Sequence, residues 1–376
     1  MRRTTLIFCL ALLAAVACDG AASDQSLPTV PPRPSPQGAP RAFQMGISSL
    51  PPELTQESYQ RTFALAASAG EMILIQRVPP WKEMLTGDLS DDTVESTQRE
   101  TALAREHGLR IFIAIDPTDP ALGRAQLAGL PQELRGAGFA DEDVQRAFLG
   151  YARYVVENYE PDYLALGVEM NSYQRANPQD FERFVQLYHE AYRAVKEIAP
   201  ETLVFPTFQL EELQGLLPVD NPQPAQWFLI NRFEPDLDLL AVSTYPSTAF
   251  AGIDQLPESY FAQLSTYTRR PIAVAGTGYP SAASGANAAS SEADQAAYVQ
   301  RVLDAAQQLS MAFVVWFVSQ DPTFTSEPPL DRLQPMGLFT QSGEGKPSWD
   351  VWRTAARRPL AATGTPTPAA SPTPGP

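Results

Sequence analysis

Three observations predict that the sequence folds as one α/β domain, a (β/α)8 TIM barrel. Between residues 42 and 358, short apolar runs alternate eight times with longer segments, which is the pattern of parallel strands covered on both faces by helices. The clearest of the longer segments carry an apolar face of helical period. No glycine-rich phosphate loop follows the first strand, which counts against the alternative, a doubly wound nucleotide-binding sheet.

The eight predicted strands are apolar, β-rich runs at residues 43–47, 72–77, 110–115, 163–169, 203–206, 239–244, 271–275 and 312–316. The two clearest amphipathic helices are predicted at residues 178–198 and 292–309. Asn177 and Pro178 have the residue types that favour the N-cap and the first turn of the former helix. A chain of 376 residues, 44% of them apolar, is long enough to form one large core.

Both ends of the chain differ in composition from this alternating region. Residues 1–17 carry two arginines and then an apolar run too short to cross a membrane, which predicts an export signal. The tetrapeptide AVAC that ends at Cys18 resembles a bacterial lipobox. The resemblance implies a lipid on Cys18, a membrane anchor and a place in the cell envelope, outside the cytoplasm. Residues 18–41 and 359–376 are rich in proline, which predicts a disordered tether and tail.

Composition narrows the chemistry. The chain has 27 Lys and Arg against 43 Asp and Glu, a net charge of −16, which argues against nucleic acid as a partner. Two histidines are too few for most zinc sites and make a Ser-His-Asp triad a poor fit. We therefore expect no metal and no cofactor, and carboxylates as the groups that would carry any catalysis.

Function in such a barrel lies where the strands end, in the loops that follow them. The residues at these positions are aromatic, amide or acidic, a set that suits a sugar because rings stack on aromatic faces and hydroxyls pair with polar groups. A carboxylate that ends an apolar strand, as Glu169 does, is costly to bury unless it is paired or used. The candidates for contact with substrate are Trp81, Asp116, Glu169, Asn171, Tyr245, Tyr279, Trp316 and Asp321.

Four segments in the right order resemble one enzyme group. They are LGVEMN at 166–171, LAVSTYP at 240–246, IAVAGTGYP at 272–280, and GLFT at 337–340 followed by Lys346, Pro347 and tryptophans. Together they resemble clan A retaining glycoside hydrolases, most nearly the endo-β-1,4-galactanase family, over residues 42–355. The resemblance implies that Glu169 occupies the acid/base position. It implies that Tyr245 supports a nucleophile, and that the nucleophile position is residue 276.

Two departures from that pattern bear on activity. Val168 stands where the clan has an asparagine that contacts the substrate's 2-hydroxyl, and Gly276 stands where the clan has its nucleophilic glutamate. Retaining hydrolysis needs two carboxylates about 5–5.5 Å apart, and glycine offers no side chain. The sequence therefore predicts an exported lipoprotein that binds an oligo- or polysaccharide and lacks retaining hydrolysis.

Two alternatives stay open at this stage. The first is an active endo-glycanase of inverting type, or with a relocated nucleophile, in which Glu169 is the general acid. An inverting mechanism needs a second carboxylate about 6.5–9.5 Å away, and Asp116, Glu211 and Asp321 are candidates. The second alternative is a structural envelope lipoprotein whose barrel only supports partners.

Overall fold

The structure is a computed structural model, and it describes residues 30–33, 35–217, 224–283, 290–324 and 330–361. The predicted export signal, the predicted lipidation site at Cys18 and the tail beyond residue 361 lie outside these residues. Within the described residues, no helix has the length and apolar character needed to cross a membrane.

All strands belong to one parallel sheet, whose order is β5-β4-β3-β2-β1-β9-β8-β7-β6. Its two outer strands, β5 and β6, are separated in the chain by Pro206 alone. They are therefore two halves of one strand position, or stave, of the barrel. Counted in this way, eight staves complete the predicted barrel. The strands are β1 (Gln44–Ser48), β2 (Met72–Arg77), β3 (Arg110–Ile115), β4 (Tyr163–Leu166), β5 (Leu203–Phe205), β6 (Thr207–Gln209), β7 (Leu240–Thr244), β8 (Ile272–Thr277) and β9 (Phe313–Trp316).

Three of the differences from the predicted strands lie near the predicted site; most of the others are shifts of one residue, as at β1. The fourth stave ends at Leu166, before Glu169, because Gly167 and Glu169 have φ of +136° and +51° and turn the chain out of the sheet. The fifth is interrupted at Pro206, which has no N–H for the ladder, and then continues to Gln209. The seventh runs on to Thr277, so Gly276 lies inside β8.

Helices surround the barrel, and the two predicted most clearly are confirmed as α6 and α9. Asn177 is the N-cap residue of α6 and Pro178 its first residue, as predicted. The Asn177 side chain makes no capping hydrogen bond and donates instead to the carbonyl of Ala125, Nδ2 to O 2.7 Å. The helices are α1 (Gln56–Ala69), α2 (Trp81–Thr86), α3 (Asp91–Glu106), α4 (Glu142–Tyr159), α5 (Met170–Ala176), α6 (Pro178–Ile198), α7 (Leu210–Leu213), α8 (Leu264–Tyr267), α9 (Glu292–Gln308) and α10 (Pro347–Ala356).

Aromatic rings fill part of the barrel interior. Phe112 contacts the rings of Tyr163, Phe205 and Phe313 at centroid distances of 6.4, 5.6 and 5.4 Å. Gln44, at the start of β1, donates to the hydroxyl of Tyr163, 2.9 Å. Because Gln44 and Tyr163 are the first residues of their strands, this packing fills the amino-terminal end of the barrel. The carboxyl-terminal end is left to carry the site.

The segments that flank the barrel, residues 37–41 and 357–361, meet at its amino-terminal end. The backbone N–H of Arg41 donates to Pro359, 2.9 Å, and that of Ala361 donates to Arg41, 2.9 Å. Arg41 is buried and forms an ion pair with Glu71, the residue before β2. This terminal clasp, residues 37–41 with residues 357–361, corrects the predicted limits of the tether and tail, since part of each is ordered against the barrel.

Candidate functional site

Glu169 lies at the mouth of the barrel in a left-handed backbone conformation. Its φ of +51° is uncommon for a residue with a side chain, and such strain persists only where surrounding contacts hold it. One contact is from its own N–H to Thr207 Oγ1, 2.9 Å. The carboxylate accepts a hydrogen bond from Ser243 of β7 at Oε1. The turn after β4 therefore directs Glu169 across the mouth rather than along the strand.

An arginine that the motifs did not indicate completes this cluster. Arg124 donates from Nε to Glu169 Oε2, 2.6 Å, and from Nη1 to Asp116 Oδ1, 2.7 Å. Its side chain is only 7% exposed. Burial alone would lower the pKa of Arg124, but the neighbouring carboxylates of Asp116 and Glu169 outweigh burial and raise it. Arg124 is therefore a permanent cation that joins the two predicted acids.

Asp116 follows β3 and is buried, as its position at a strand end predicts. It accepts from Gln76 Nε2 at 2.8 Å in addition to Arg124. Burial raises the pKa of Asp116, and Arg124 opposes that effect. The structure thus brings two of the predicted residues, Asp116 and Glu169, together through one guanidinium.

Gly276 and Tyr245 face each other at the ends of β8 and β7. A Cβ placed on Gly276 would lie 3.4 Å from the Tyr245 hydroxyl and 3.7 Å from Phe317 Cδ2, which is ordinary van der Waals contact. The backbone at Gly276 is outside the left-handed region, so a Cβ at this position would bring no backbone strain. Burial, with Glu169 nearby, raises the pKa of Tyr245 well above its usual value, so its hydroxyl stays protonated.

The other carboxylates considered for an inverting mechanism are engaged elsewhere. Glu211 is completely buried and accepts from the Tyr245 N–H, 2.7 Å, and from Thr244 Oγ1, 2.8 Å. Burial raises the pKa of Glu211 to about 7, while these donors oppose the rise. Asp321 pairs with Lys346, 2.7 Å, and accepts from the Gly337 N–H, 2.7 Å. Glu211 therefore supports the backbone of Tyr245, and Asp321 fixes the loop before α10.

The prediction that the rings of Trp81, Tyr279 and Trp316 contact the substrate is wrong. Their exposed fractions are 1%, 1% and 0%, so no ring face is available to a sugar. The indole N–H of Trp81 donates to Ala128, 2.7 Å, and that of Trp316 to Met336, 2.9 Å. Large rings beside an apolar strand contribute most when they are buried. This explains why these three belong to the core.

Asn171 is also not available to a ligand. It is fully buried, and its side chain pairs with the backbone of Gln209: Oδ1 accepts from N–H at 2.8 Å, and Nδ2 donates to the carbonyl at 3.0 Å. These two hydrogen bonds join the start of α5 to the end of β6. The predicted role of Asn171 in substrate contact is therefore corrected to a role in shaping the turn that carries Glu169.

Two surface cavities differ in their relation to this cluster. One of about 680 Å³ lies at the amino-terminal ends of β3 to β5, among residues such as Arg110, Asp162 and Glu201, and is remote from Glu169. The other, beside Asp116 and Gln76, holds only about 10 Å³, which is the space for one water. Only the second adjoins the charged cluster at the strand ends, where TIM barrels bind ligands.

No protein-family model and no curated protein matches the chain. Solved structures do. A substituted form of GH5_18 from Streptomyces cattleya, in complex with Manb1-4GlcNAc, has 17% identity and a TM-score of 0.64; the alignment covers 88% of this chain and 83% of that one. An exo-beta-1,4-mannosidase from Opitutaceae bacterium strain TAV5 has 16% identity and a TM-score of 0.65, covering 89% and 62%.

A more distant match is a family 39 glycoside hydrolase from Bacteroides cellulosilyticus WH2, with 17% identity and a TM-score of 0.55, covering 84% of this chain and 64% of that one. Families 5 and 39 are both clan A glycoside hydrolases. The chain therefore has the TIM-barrel fold of clan A glycoside hydrolases, as its motifs predicted. At these identities the likeness shows the fold alone.

Proposed function

We propose that this protein is an exported, lipid-anchored barrel that binds a β-linked oligo- or polysaccharide and has lost retaining hydrolysis. The observation that carries the proposal is Gly276. It occupies the strand end where the clan places its nucleophile, beside the hydroxyl of Tyr245. A retaining glycosidase forms a covalent bond from that carboxylate to the sugar, and glycine supplies no atom to form it.

Carbohydrate as the ligand is supported from two sides. The mouth of the barrel holds the partly exposed polar side chains of Glu169 and Tyr245, whose oxygens suit sugar hydroxyls. Structures with the same fold hold Manb1-4GlcNAc and GlcNAc. We take β-mannosides and N-acetylglucosaminides as the first ligands to test.

The envelope location is supported by the sequence around Cys18, where the tetrapeptide AVAC resembles a lipobox. The terminal clasp lies at the amino-terminal end of the barrel, opposite the end where Glu169 lies. The proposed tether therefore joins the barrel at the end opposite the cluster around Glu169.

A glycan array probed with the purified protein tests binding. We expect signals for β-linked glycans that fall by about tenfold or more in Glu169→Gln and Tyr245→Phe, because each loss removes a hydrogen bond to a ligand. Glu157→Gln, on the exposed face of α4, is the matched control and should bind as the unchanged protein does. An array without signal would contradict the proposal, and released reducing ends would instead support the active-glycanase alternative.

Lipid attachment is tested separately by growing an expressing bacterium with an alkyne-tagged fatty acid. We expect label on the full chain and none on Cys18→Ala, because the thioether at that cysteine is the only link that the lipobox implies. A Cys9→Ala variant is the control and should retain the label. Unlabelled protein in the soluble fraction would contradict the anchor and leave the binding proposal standing.

A further inference from the structure

The loop between β3 and α4 delivers one side chain, Arg124, to the mouth of the barrel. Arg124 has a φ of +60°, and its N–H donates to Asp119, 2.8 Å. The loop is fixed from both sides, since Trp81 donates to Ala128, 2.7 Å, and Asn177 donates to Ala125, 2.7 Å. Two residues that the sequence had suggested for other roles therefore serve to hold the loop that carries Arg124.

Both oxygens of Glu169 accept hydrogen bonds in this arrangement. Arg124 Nε donates to Oε2, 2.6 Å, and Ser243 Oγ donates to Oε1. A general acid of a glycosidase must carry a proton on an oxygen directed at the leaving group. A guanidinium keeps its protons at any ordinary pH, so a proton on Oε2 would face the Nε–H of Arg124.

We infer that Arg124 is a positioning residue that holds Glu169 as a hydrogen-bond acceptor and keeps it from acting as a general acid. The inference rests on the proposed function and adds a second block to the one at Gly276. It follows that a nucleophile restored at position 276 alone gives a barrel able to form a glycosyl ester but unable to assist a poor leaving group. Both positions have to change before the barrel cleaves an ordinary glycoside.

The chemistry separates the two blocks. In Gly276→Glu, the new carboxylate attacks the anomeric carbon, and the bond from that carbon to the aglycone oxygen breaks. Dinitrophenolate leaves as a stable anion and needs no proton, whereas phenolate needs a proton from Glu169. Water then attacks the anomeric carbon, loses its proton to the medium or to Glu169, and releases the free sugar and the carboxylate.

The test compares dinitrophenyl and phenyl glycosides of β-mannose, β-glucose, β-galactose and N-acetyl-β-glucosamine. We expect Gly276→Glu to cleave a dinitrophenyl glycoside and to leave the phenyl glycoside of the same sugar nearly untouched. Adding Arg124→Gln should raise turnover of the phenyl glycoside by about 100-fold, the lower range of general acid catalysis, and change the dinitrophenyl rate by less than about threefold. A merely structural role for Arg124 would move both rates together.

Controls keep the result readable. Arg175→Gln, which removes another arginine paired with a buried carboxylate, Glu212, should leave both rates of Gly276→Glu unchanged. If Arg124→Gln misfolds because Asp116 loses its partner, Arg124→Gln with Asp116→Asn removes both charges, and circular dichroism checks the fold. The same phenyl-selective gain is expected from this pair.

Any one of three results would overturn the inference. The first is that Gly276→Glu cleaves phenyl and dinitrophenyl glycosides equally well with Arg124 in place. The second is that the ratio of the two rates stays the same when Arg124 is replaced. The third is that no variant cleaves any dinitrophenyl glycoside, which would mean that the cluster is not a latent glycosidase site. None of these bears on ligand binding by the unchanged protein, which the glycan array measures independently.

Discussion

Gly276 has no side chain at the position where the resemblance to clan A implies a nucleophile. Tyr245 keeps its place beside that position, with its hydroxyl 3.4 Å from where a Cβ would lie. The support for a nucleophile is thus present without the nucleophile. Glu169 shows the converse, since the carboxyl is present but bonded to Arg124, 2.6 Å. Under the proposed function, the surroundings of a retaining site are kept, while positions 276 and 169 no longer perform its two catalytic roles.

Gly276→Ala should be accepted almost without cost. The nearest atoms to its Cβ are in ordinary contact, so we expect the free energy of unfolding to change by less than about 1 kcal/mol. Gly46→Ala in β1 is the matched comparison, because there the Cβ would come within 2.8 Å of the Met72 carbonyl oxygen. Urea denaturation of both variants measures the difference. Equal losses would show that position 276 is not the open place that the structure describes.

Glu211 gives a pH dependence whose sign can be worked out. Its pKa is raised from 4.5 to about 7 by burial, so the folded protein holds a proton that the unfolded chain releases. Its contribution to stability is therefore complete below pH 4.5 and is lost as the pH rises through about 7. The full difference corresponds to about 3 kcal/mol.

Urea unfolding of Glu211→Gln at a series of pH values tests this assignment. Glutamine cannot ionise, so the variant should lose less stability than the unchanged protein between pH 5 and pH 8, a window set by the pKa of Glu211. The exposed Glu157→Gln is the control and should follow the unchanged protein. Parallel curves for all three proteins would show that Glu211 ionises normally.

At the scale of elements, the loop between β3 and α4 and the turn after β4 determine the site. The turn after β4 leaves the sheet early because Gly167 and Glu169 take left-handed conformations. The loop is held by side chains from α2 and from the start of α6. These contacts join segments that are far apart in sequence, and they place Arg124 against Glu169.

Trp81→Phe tests the corrected role of Trp81. The ring would stay buried, but the indole N–H that donates to Ala128, 2.7 Å, would be lost. We expect a loss of about 1 kcal/mol in the free energy of unfolding and no change in affinity for a glycan that the array identifies. Calorimetry of binding and of unfolding measures both. A large loss of affinity with stability intact would restore Trp81 as a sugar platform.

The strands were predictable because a buried parallel strand is apolar along its whole length, and β2 and β3 agree with the prediction at every residue. The place of Glu169 in the candidate site was predictable because a charged residue at the end of an apolar run is unusual. Strand-end position could not separate core rings such as Trp316 from exposed ones. Arg124 could not be predicted, since it follows a glycine in an irregular loop and its partner lies 45 residues away.

At the scale of the whole molecule, the terminal clasp joins the two segments that flank the barrel, on the face opposite the site. Arg41 is almost fully buried, and Glu71 supplies the negative charge that balances its guanidinium. Arg33 also pairs with Glu71, 2.8 Å, and the Met45 N–H donates to it, 3.1 Å. One carboxylate therefore organises the segment through which the tether leaves the barrel.

Glu71→Gln should destabilise the protein by about 3 kcal/mol, because it leaves a buried guanidinium without its countercharge. Glu160→Gln is the matched control: it breaks an ion pair with Arg105 at 3.0 Å whose side chains are 72% and 65% exposed. Such pairs contribute at most about 1 kcal/mol. Thermal unfolding of the two variants should differ clearly, and equal effects would mean that the clasp does not stabilise the barrel.

The central claim, a sugar-binding barrel without retaining hydrolysis, is tested most directly by saturation-transfer proton NMR on the unchanged protein with Manβ1-4GlcNAc and longer β-mannosides. One spectrum reports binding, through saturation carried to the sugar protons, and hydrolysis, through new anomeric signals. We predict transfer to the sugar and an anomeric region that stays unchanged over days. A growing β-anomeric signal, abolished in Glu169→Gln, would contradict the loss of hydrolysis. Absence of transfer for every β-glycan tested would contradict the binding role.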